Sequence, residues 1–189
     1  MTMFTVILGM LNALRPFYMD VESADARNER MTVIALSIAQ ATEEATCTGA
    51  FAKDGCVPKF KGEPEELAMG LFTIGKFETR YAKHVHEDKC RPWECDTGLA
   101  KSLFQVHVSK TTPREVWVRL GGTSQESTLL SARAAAASFS WAWQCGSLDR
   151  AFAGYMTSYC QTIKAGKERA NDYLANLRRY RRLMKGQQG

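Results

Sequence analysis

The sequence predicts a mainly α domain with one small β or irregular region. Two observations carry this. Long stretches near residues 23–45, 65–85, 127–144 and 164–185 repeat apolar residues at helical period. Strand-prone residues, in contrast, are few and scattered, and any β-structure is expected between Lys89 and Val108. At 189 residues and 45% hydrophobic the chain can bury one substantial core. With no long linker, low-complexity tract or internal repeat, it reads as a single domain, 1–189, in three parts: N-terminal helices (1–62), a central core (63–163) and a basic C-terminal helix (164–189).

Residues 1–14 are apolar but too few to span a bilayer, and they lack the positive n-region and small-x-small site of a signal peptide. An unusual signal and a plain buried helix both stay open, ended by Arg15-Pro16. Ser23 to Ala45 is expected to be amphipathic, with Met31, Ile34, Ala35, Ile38 and Ala41 or Thr42 inward and Arg27, Glu29, Arg30, Glu43 and Glu44 in water. Glu63, Glu65 and Glu66 favour a helix start through the dipole. The helix that follows, 65–85, places Leu67, Leu71, Ile74, Gly75, Glu78 and Ala82 on one stripe. Glu78 therefore points where the leucines point, and must find a partner or keep its proton. A carboxylic acid that keeps its proton suits a general acid; a Glu paired with Lys83 or Arg80 would be structural.

His84 to Asp88 is polar and expected to be exposed. Trp93, in the loop between Cys90 and Cys95, either packs or stacks on a sugar ring. Asp96-Thr97-Gly98 is a turn. Pro113 starts a short helix ending at Gly121-Gly122. The alanine-rich stretch to Gln144 begins at Ser127, or at Ser124 one turn earlier, with Trp141 and Trp143 as wall residues. Leu148 to Ser158 and Lys164 to Lys185 complete the helices.

Six cysteines fall in three close pairs, and proximity predicts disulfides Cys47–Cys56, Cys90–Cys95 and Cys145–Cys160. No CxxC occurs and the histidines lie outside zinc-ligand spacing, so no metal and no cofactor is expected. Three disulfides imply an oxidising, extracytoplasmic compartment (periplasmic, secreted or virion-associated), although the export signal is not clear. A viral enzyme released at lysis or carried in a virion would need no such signal. The net charge of +5 suits an anionic partner, and from Lys164 onward eight Lys or Arg face only Glu168 and Asp172.

Three segments resemble a known family. Glu78-Thr79-Arg80-Tyr81 resembles the Glu-Ser-x-Phe/Tyr signature of soluble lytic transglycosylases and goose-type lysozymes. Ala100-Lys101-Ser102-Leu103-Phe104-Gln105 looks like that family's Ala-x-Gly-Leu-Met-Gln segment, and Ala151-Phe152-Ala153-Gly154-Tyr155 is similar to its Ala-Leu-Ala-Ala-Tyr. The resemblance implies a lysozyme-like α (α+β) fold, with a cleft between the Glu78 helix and the helix bearing Tyr155. It further implies that Glu78 is the catalytic acid/base, and that Ser102, Gln105 and Tyr155 bind substrate. The chain departs from the pattern in three ways: Ser102 stands for Gly, Met156 for Asn, and residues are inserted between Glu78 and Gln105.

The expected activity is cleavage of the β-1,4 bond between N-acetylmuramic acid and N-acetylglucosamine in peptidoglycan glycan strands. A hydrolase needs a second carboxylate, and Asp96, Asp88, Glu87 and Glu94 are near in sequence. None aligns with a family motif, which favours the transglycosylase. Two non-catalytic readings stay open, an inactive wall-binding protein and a basic helical nucleic-acid binder. The second lacks any zinc finger, glycine-clamped loop or RNA-binding aromatic motif, so no nucleic acid is expected. No integral membrane segment is expected, and the sequence is silent on oligomeric state.

Overall fold

Thr2 and Ser23 start the first two helices of the chain, whose computed structural model describes residues 2–17, 20–91, 93 and 95–186. Thr2 accepts a hydrogen bond from the Thr5 amide and opens α1, Met3–Asn12, which buries Val6, Ile7, Met10 and Leu11 in the core. Ser23 caps α2, Ala24–Thr46, and Cys47 closes it in a left-handed conformation. The predicted apolar stripe of α2 is buried. Arg30 is a correction, because it lies inside rather than in water. Its guanidinium is satisfied there by both carboxylate oxygens of Glu22 and by the Tyr81 carbonyl at 2.7 Å.

Glu63 and Glu66 form a reciprocal cap for α3, Pro64–Glu78. This helix ends at Glu78 instead of running on to Val85. Arg80 and Tyr81 both adopt positive φ and turn the chain back, so Ala82 leaves the stripe. The Tyr81 ring then lies over Gly75, where a Cβ would sit 2.5 Å from the ring, and its hydroxyl donates to the Phe72 carbonyl at 2.9 Å. A glycine at 75 is thus what lets the turn fold onto its own helix. A short α4, Lys83–His86, follows.

The β-structure is one antiparallel hairpin, β1 (Ala100–Lys101) and β2 (Val106–His107), inside the expected interval. The Trp117 indole donates to the Val106 carbonyl at 2.9 Å and pins it to α5, Arg114–Trp117. Pro113 is the residue before that helix rather than its first, and the helix stops at Trp117, short of the expected end at Gly121 and Gly122, which both take positive φ. Of the two candidate caps for α6, Gln125–Ala142, Ser124 is the one used. Its buried Ala132, Ala135 and Ala136 let neighbouring helices come close. Phe139 stacks among Phe60, Trp143, Phe152 and Tyr155 at the centre.

The last two helices are α7, Leu148–Thr157, and α8, Lys164–Lys185, which has the bounds its sequence implied. α8 buries Ala170, Tyr173, Leu177 and Tyr180, and Lys76–Asp172 and Asn176–Thr73 contacts fasten it to α3. The three disulfides are Cys47–Cys56, Cys90–Cys95 and Cys145–Cys160, with Cα separations of 5.9, 5.8 and 5.2 Å. Among the described residues no helix is long and apolar enough to cross a membrane.

Candidate active site

Glu78 is the last residue of α3, so its side chain leaves the helix where the chain breaks away. It is mostly buried, and its Oε1 accepts from Arg169 Nη2 of α8 at 2.9 Å. Of the two outcomes expected for a carboxylate on this stripe, the structure supplies the partner, and it is neither Lys83 nor Arg80. Arg169 was not singled out by the sequence. Ninety-one residues separate it from Glu78, and an arginine inside a basic helix reads as a solvated charge. Its guanidinium lies 5.0 Å from the Phe77 ring centroid, and its buried Nε has no hydrogen-bond partner among the described residues.

Thr79, beside Glu78, donates its hydroxyl to the Leu103 carbonyl at 2.9 Å. Tyr155, on α7, donates to the next carbonyl, Phe104, at 2.6 Å. Burial pushes the Tyr155 phenol well above its ordinary pKa, and the negative charge of nearby Glu78 adds to the effect. The turn of the hairpin is therefore held from both sides, by the end of α3 and by α7. The three segments that resemble the lytic transglycosylase motifs meet at this turn.

The turn itself is strained. Ser102 (φ 68°) and Gln105 (φ 49°) are both left-handed, a conformation that costs a residue with a Cβ on the order of 1 kcal/mol. Glycine, the family's residue at the position of Ser102, would take it freely. Ser102 is buried and lies toward His86 and Thr128, away from the main cleft. The Gln105 amide donates to the Ser102 carbonyl at 3.0 Å and to Cys95 Sγ at 3.1 Å, which ties the turn to the Cys90–Cys95 loop.

A cleft of about 690 Å³ opens beside the hairpin, walled by Gln105 to Thr111, by Gly154 to Ser158 of α7, and by Asp96, Ser138 and Trp141. Gln105, Tyr155 and Met156 line it, but neither Glu78 nor any other residue of α3 does, so this is not the expected cleft between the Glu78 helix and α7. Trp141 is another correction to the wall assignment, since it is 44% exposed and lines the cleft, whereas Trp143 packs inside against Phe60 and Phe139. Trp93 stands 74% exposed in the disulfide loop, so it does not pack.

Of the carboxylates near in sequence, Asp96 reaches the cleft, with His107 Nε2 3.7 Å from its Oδ2. Asp88 pairs with Lys101 and Glu87 with Lys89, while Glu94 lies outside the described residues. Among the described residues no cluster of three or more His, Cys, Asp or Glu could hold a metal ion.

His86 overturns the expectation that residues 84–88 are exposed. It is buried, and its Nε2 lies 2.8 Å from Thr128 Oγ1. That hydroxyl donates its own proton to the Ser124 carbonyl, so Nε2 carries the imidazole proton and the buried Nδ1 has no partner among the described residues. Burial, then the nearby Arg30 charge, push the His86 pKa down to about 4.

Compared with known protein families, curated proteins and solved structures, the chain finds no match.

Proposed function

We propose that the protein is a peptidoglycan-cleaving lytic transglycosylase with Glu78 as its acid/base, working outside the cytoplasm. The observation that carries this reading is the convergence of the Glu78-Thr79, Leu103-Phe104-Gln105 and Tyr155 segments through the Thr79–Leu103 and Tyr155–Phe104 hydrogen bonds. The adjoining cleft offers Gln105 as a polar anchor and Trp141 as an aromatic surface, the combination a sugar needs. Three disulfides accord with an oxidising compartment.

In the first step Glu78 gives its proton to the glycosidic oxygen linking N-acetylmuramic acid to the next sugar. The C–O bond then breaks as the muramyl ring gains oxocarbenium character. In the second step the Glu78 carboxylate takes the proton of the muramyl 6-hydroxyl, whose oxygen closes a 1,6-anhydro ring. No second carboxylate is consumed in this cycle. The resting contact of Glu78 with Arg169 sets a condition on it. Substrate must separate the two before the acid step, and the guanidinium Nε–H, without a partner among the described residues, is the donor for a new acceptor.

A second reading has its own observation. Asp96 lines the cleft, and a lysozyme-type hydrolase would use it to activate water. Mass spectrometry of muropeptides released from purified peptidoglycan separates the two. Products ending in 1,6-anhydro-muramic acid and produced equally by Asp96→Asn support the transglycosylase. Reducing ends that disappear in Asp96→Asn support the hydrolase, and fragments released by Glu78→Gln as fast as by wild type would exclude both.

A further inference from the structure

The positive charge of this molecule sits on one helix. α8 carries eight Lys or Arg against Glu168 and Asp172, a surplus of six, one more than the net +5 of the whole chain. The remainder of the protein is thus close to neutral. Two of the eight cations pair with carboxylates of α3, Arg169 with Glu78 and, at the surface, Arg181 with Glu65, and Lys164 is within 3.9 Å of Glu168. Lys167, Arg178, Arg179, Arg182 and Lys185 are exposed and form no ion pair among the described residues.

Their register matters as much as their number. At 100° per residue Lys167, Arg178, Arg182 and Lys185 fall on one face, opposite the buried Tyr173–Tyr180 side, with Arg179 on its flank. The face runs along a helix about 33 Å long, at ~1.5 Å per residue; exposed Glu168 stands at its N-terminal end near Lys164, and C-terminal to Asp172, which is held by Lys76, the helix has no carboxylate. Such a row attracts an extended polyanion rather than a single small anion.

We propose that the outward face of α8 is a second, non-catalytic contact with peptidoglycan, a cationic rail for the carboxylates of its peptide stems; the choice of polymer rests on the reading given above. Three features favour this occupant. An anionic membrane would need an apolar face to insert, and that of α8 is already buried in the core, leaving only Leu174 and Leu183 about two-fifths exposed. No exposed aromatic stands on the face to stack a nucleic-acid base. The Glu78–Arg169 and Lys76–Asp172 pairs couple α8 to the helix that bears Glu78, so a polymer on the rail is held in fixed register with that residue.

The test is co-sedimentation of the full-length protein with purified insoluble peptidoglycan across 50–500 mM salt, beside peptidoglycan whose carboxylates have been amidated and beside double-stranded DNA. The variant R178Q/R179Q/R182Q/K185Q keeps good helix formers at exposed sites, and an unchanged melting temperature checks that it folds. At roughly a fivefold loss per cation, it should bind native peptidoglycan on the order of 10²- to 10³-fold more weakly at low salt. Wild type should bind amidated peptidoglycan about as weakly as the variant binds the native polymer, and the difference should vanish at high salt. Equal binding by variant and wild type, indifference to amidation, or tighter binding to DNA than to peptidoglycan would each overturn the rail. Glu78→Gln should bind like wild type. If it does so while wild type releases no muropeptide, the proposed reaction fails and the rail stands.

Discussion

Glu78 and His86 stand eight residues apart, both touch the surroundings of the same hairpin turn, and the protein satisfies them in opposite ways. Glu78 is met by the Arg169 guanidinium, brought from α8 at the far end of the chain. His86 gives up its charge, donates one hydrogen bond to Thr128 and leaves Nδ1 without a partner among the described residues. The first arrangement leaves a reactive group with a partner that can be exchanged. The second is a static solution, since a neutral ring in a closed space has nothing to exchange. The difference separates partial burial with a removable partner from burial alone, and under the proposed function the first is what a working carboxylate requires.

The largest effect expected follows from Glu78. Glu78→Gln keeps the shape and loses the transferable proton, so release of muropeptides should fall about 10²- to 10⁴-fold, the usual worth of general acid catalysis. His86→Leu, at the other pole of the comparison, should leave turnover at neutral pH within a few-fold of wild type, because neither His86 nor its partner Thr128 lines the cleft. Equal losses in both variants would erase the distinction.

Next in size is the pH dependence of stability carried by His86. Its folded pKa of about 4 lies below the ordinary 6.5, so the unfolded chain binds the proton first as pH falls. Stability contributed by the neutral ring is complete above pH 6.5, declines from 6.5 to 4, and is gone below. At ~1.4 kcal/mol per pH unit the loss is about 3 kcal/mol at most. Denaturant unfolding at pH 7, 5.5 and 4 measures it, and His86→Leu should flatten the part of the curve between 6.5 and 4.

These two residues also show what could be read in advance. Glu78 was legible because it interrupts an apolar stripe, and a charge among leucines requires an explanation that sequence alone can pose. The disulfides and the ends of α2 and α8 were legible because they depend on neighbours in sequence: close cysteine pairs, Ser23 as a cap, an amphipathic run between breaks. Arg169 was not, because its partner comes from α3 and no local pattern records a contact between distant helices. His86 was hidden by its polar neighbours His84, Glu87 and Asp88, which predict exposure, and Arg30 by a helix face that reads as wet. The end of α3 was missed because Arg80 and Tyr81 take left-handed conformations that glycine or asparagine would have announced.

The Glu78–Arg169 pair can be tested as a structural unit through a double-mutant cycle. Arg169→Gln leaves a largely buried carboxylate without its cation, and should cost roughly 1–3 kcal/mol of unfolding free energy. Because both side chains keep some access to water, the lower half of that range is the better guide. Glu78→Gln/Arg169→Gln should recover part of the loss, giving a coupling energy on the order of 1 kcal/mol. Additive losses would mean that the pair contributes nothing as a pair, and Arg169 would then be free to serve substrate from the start.

Tyr155→Phe should have the smallest effect and is the finest probe of the turn. The phenol donates to the Phe104 carbonyl at 2.6 Å, and removing it leaves that carbonyl without this donor, a stability cost of about 1 kcal/mol. The ring stays, so the cleft wall and its packing against Phe139 are kept. What is lost is one of the two fastenings of the segment that aims Gln105, while the Thr79–Leu103 bond remains. Turnover should therefore fall by less than about tenfold, in keeping with a group that positions substrate without carrying the proton. Thr79→Val removes the other fastening, and combined with Tyr155→Phe should lower turnover by more than the product of the single losses, since either bond alone can hold the turn. A loss with Tyr155→Phe as large as that with Glu78→Gln would instead place the phenol among the reacting groups.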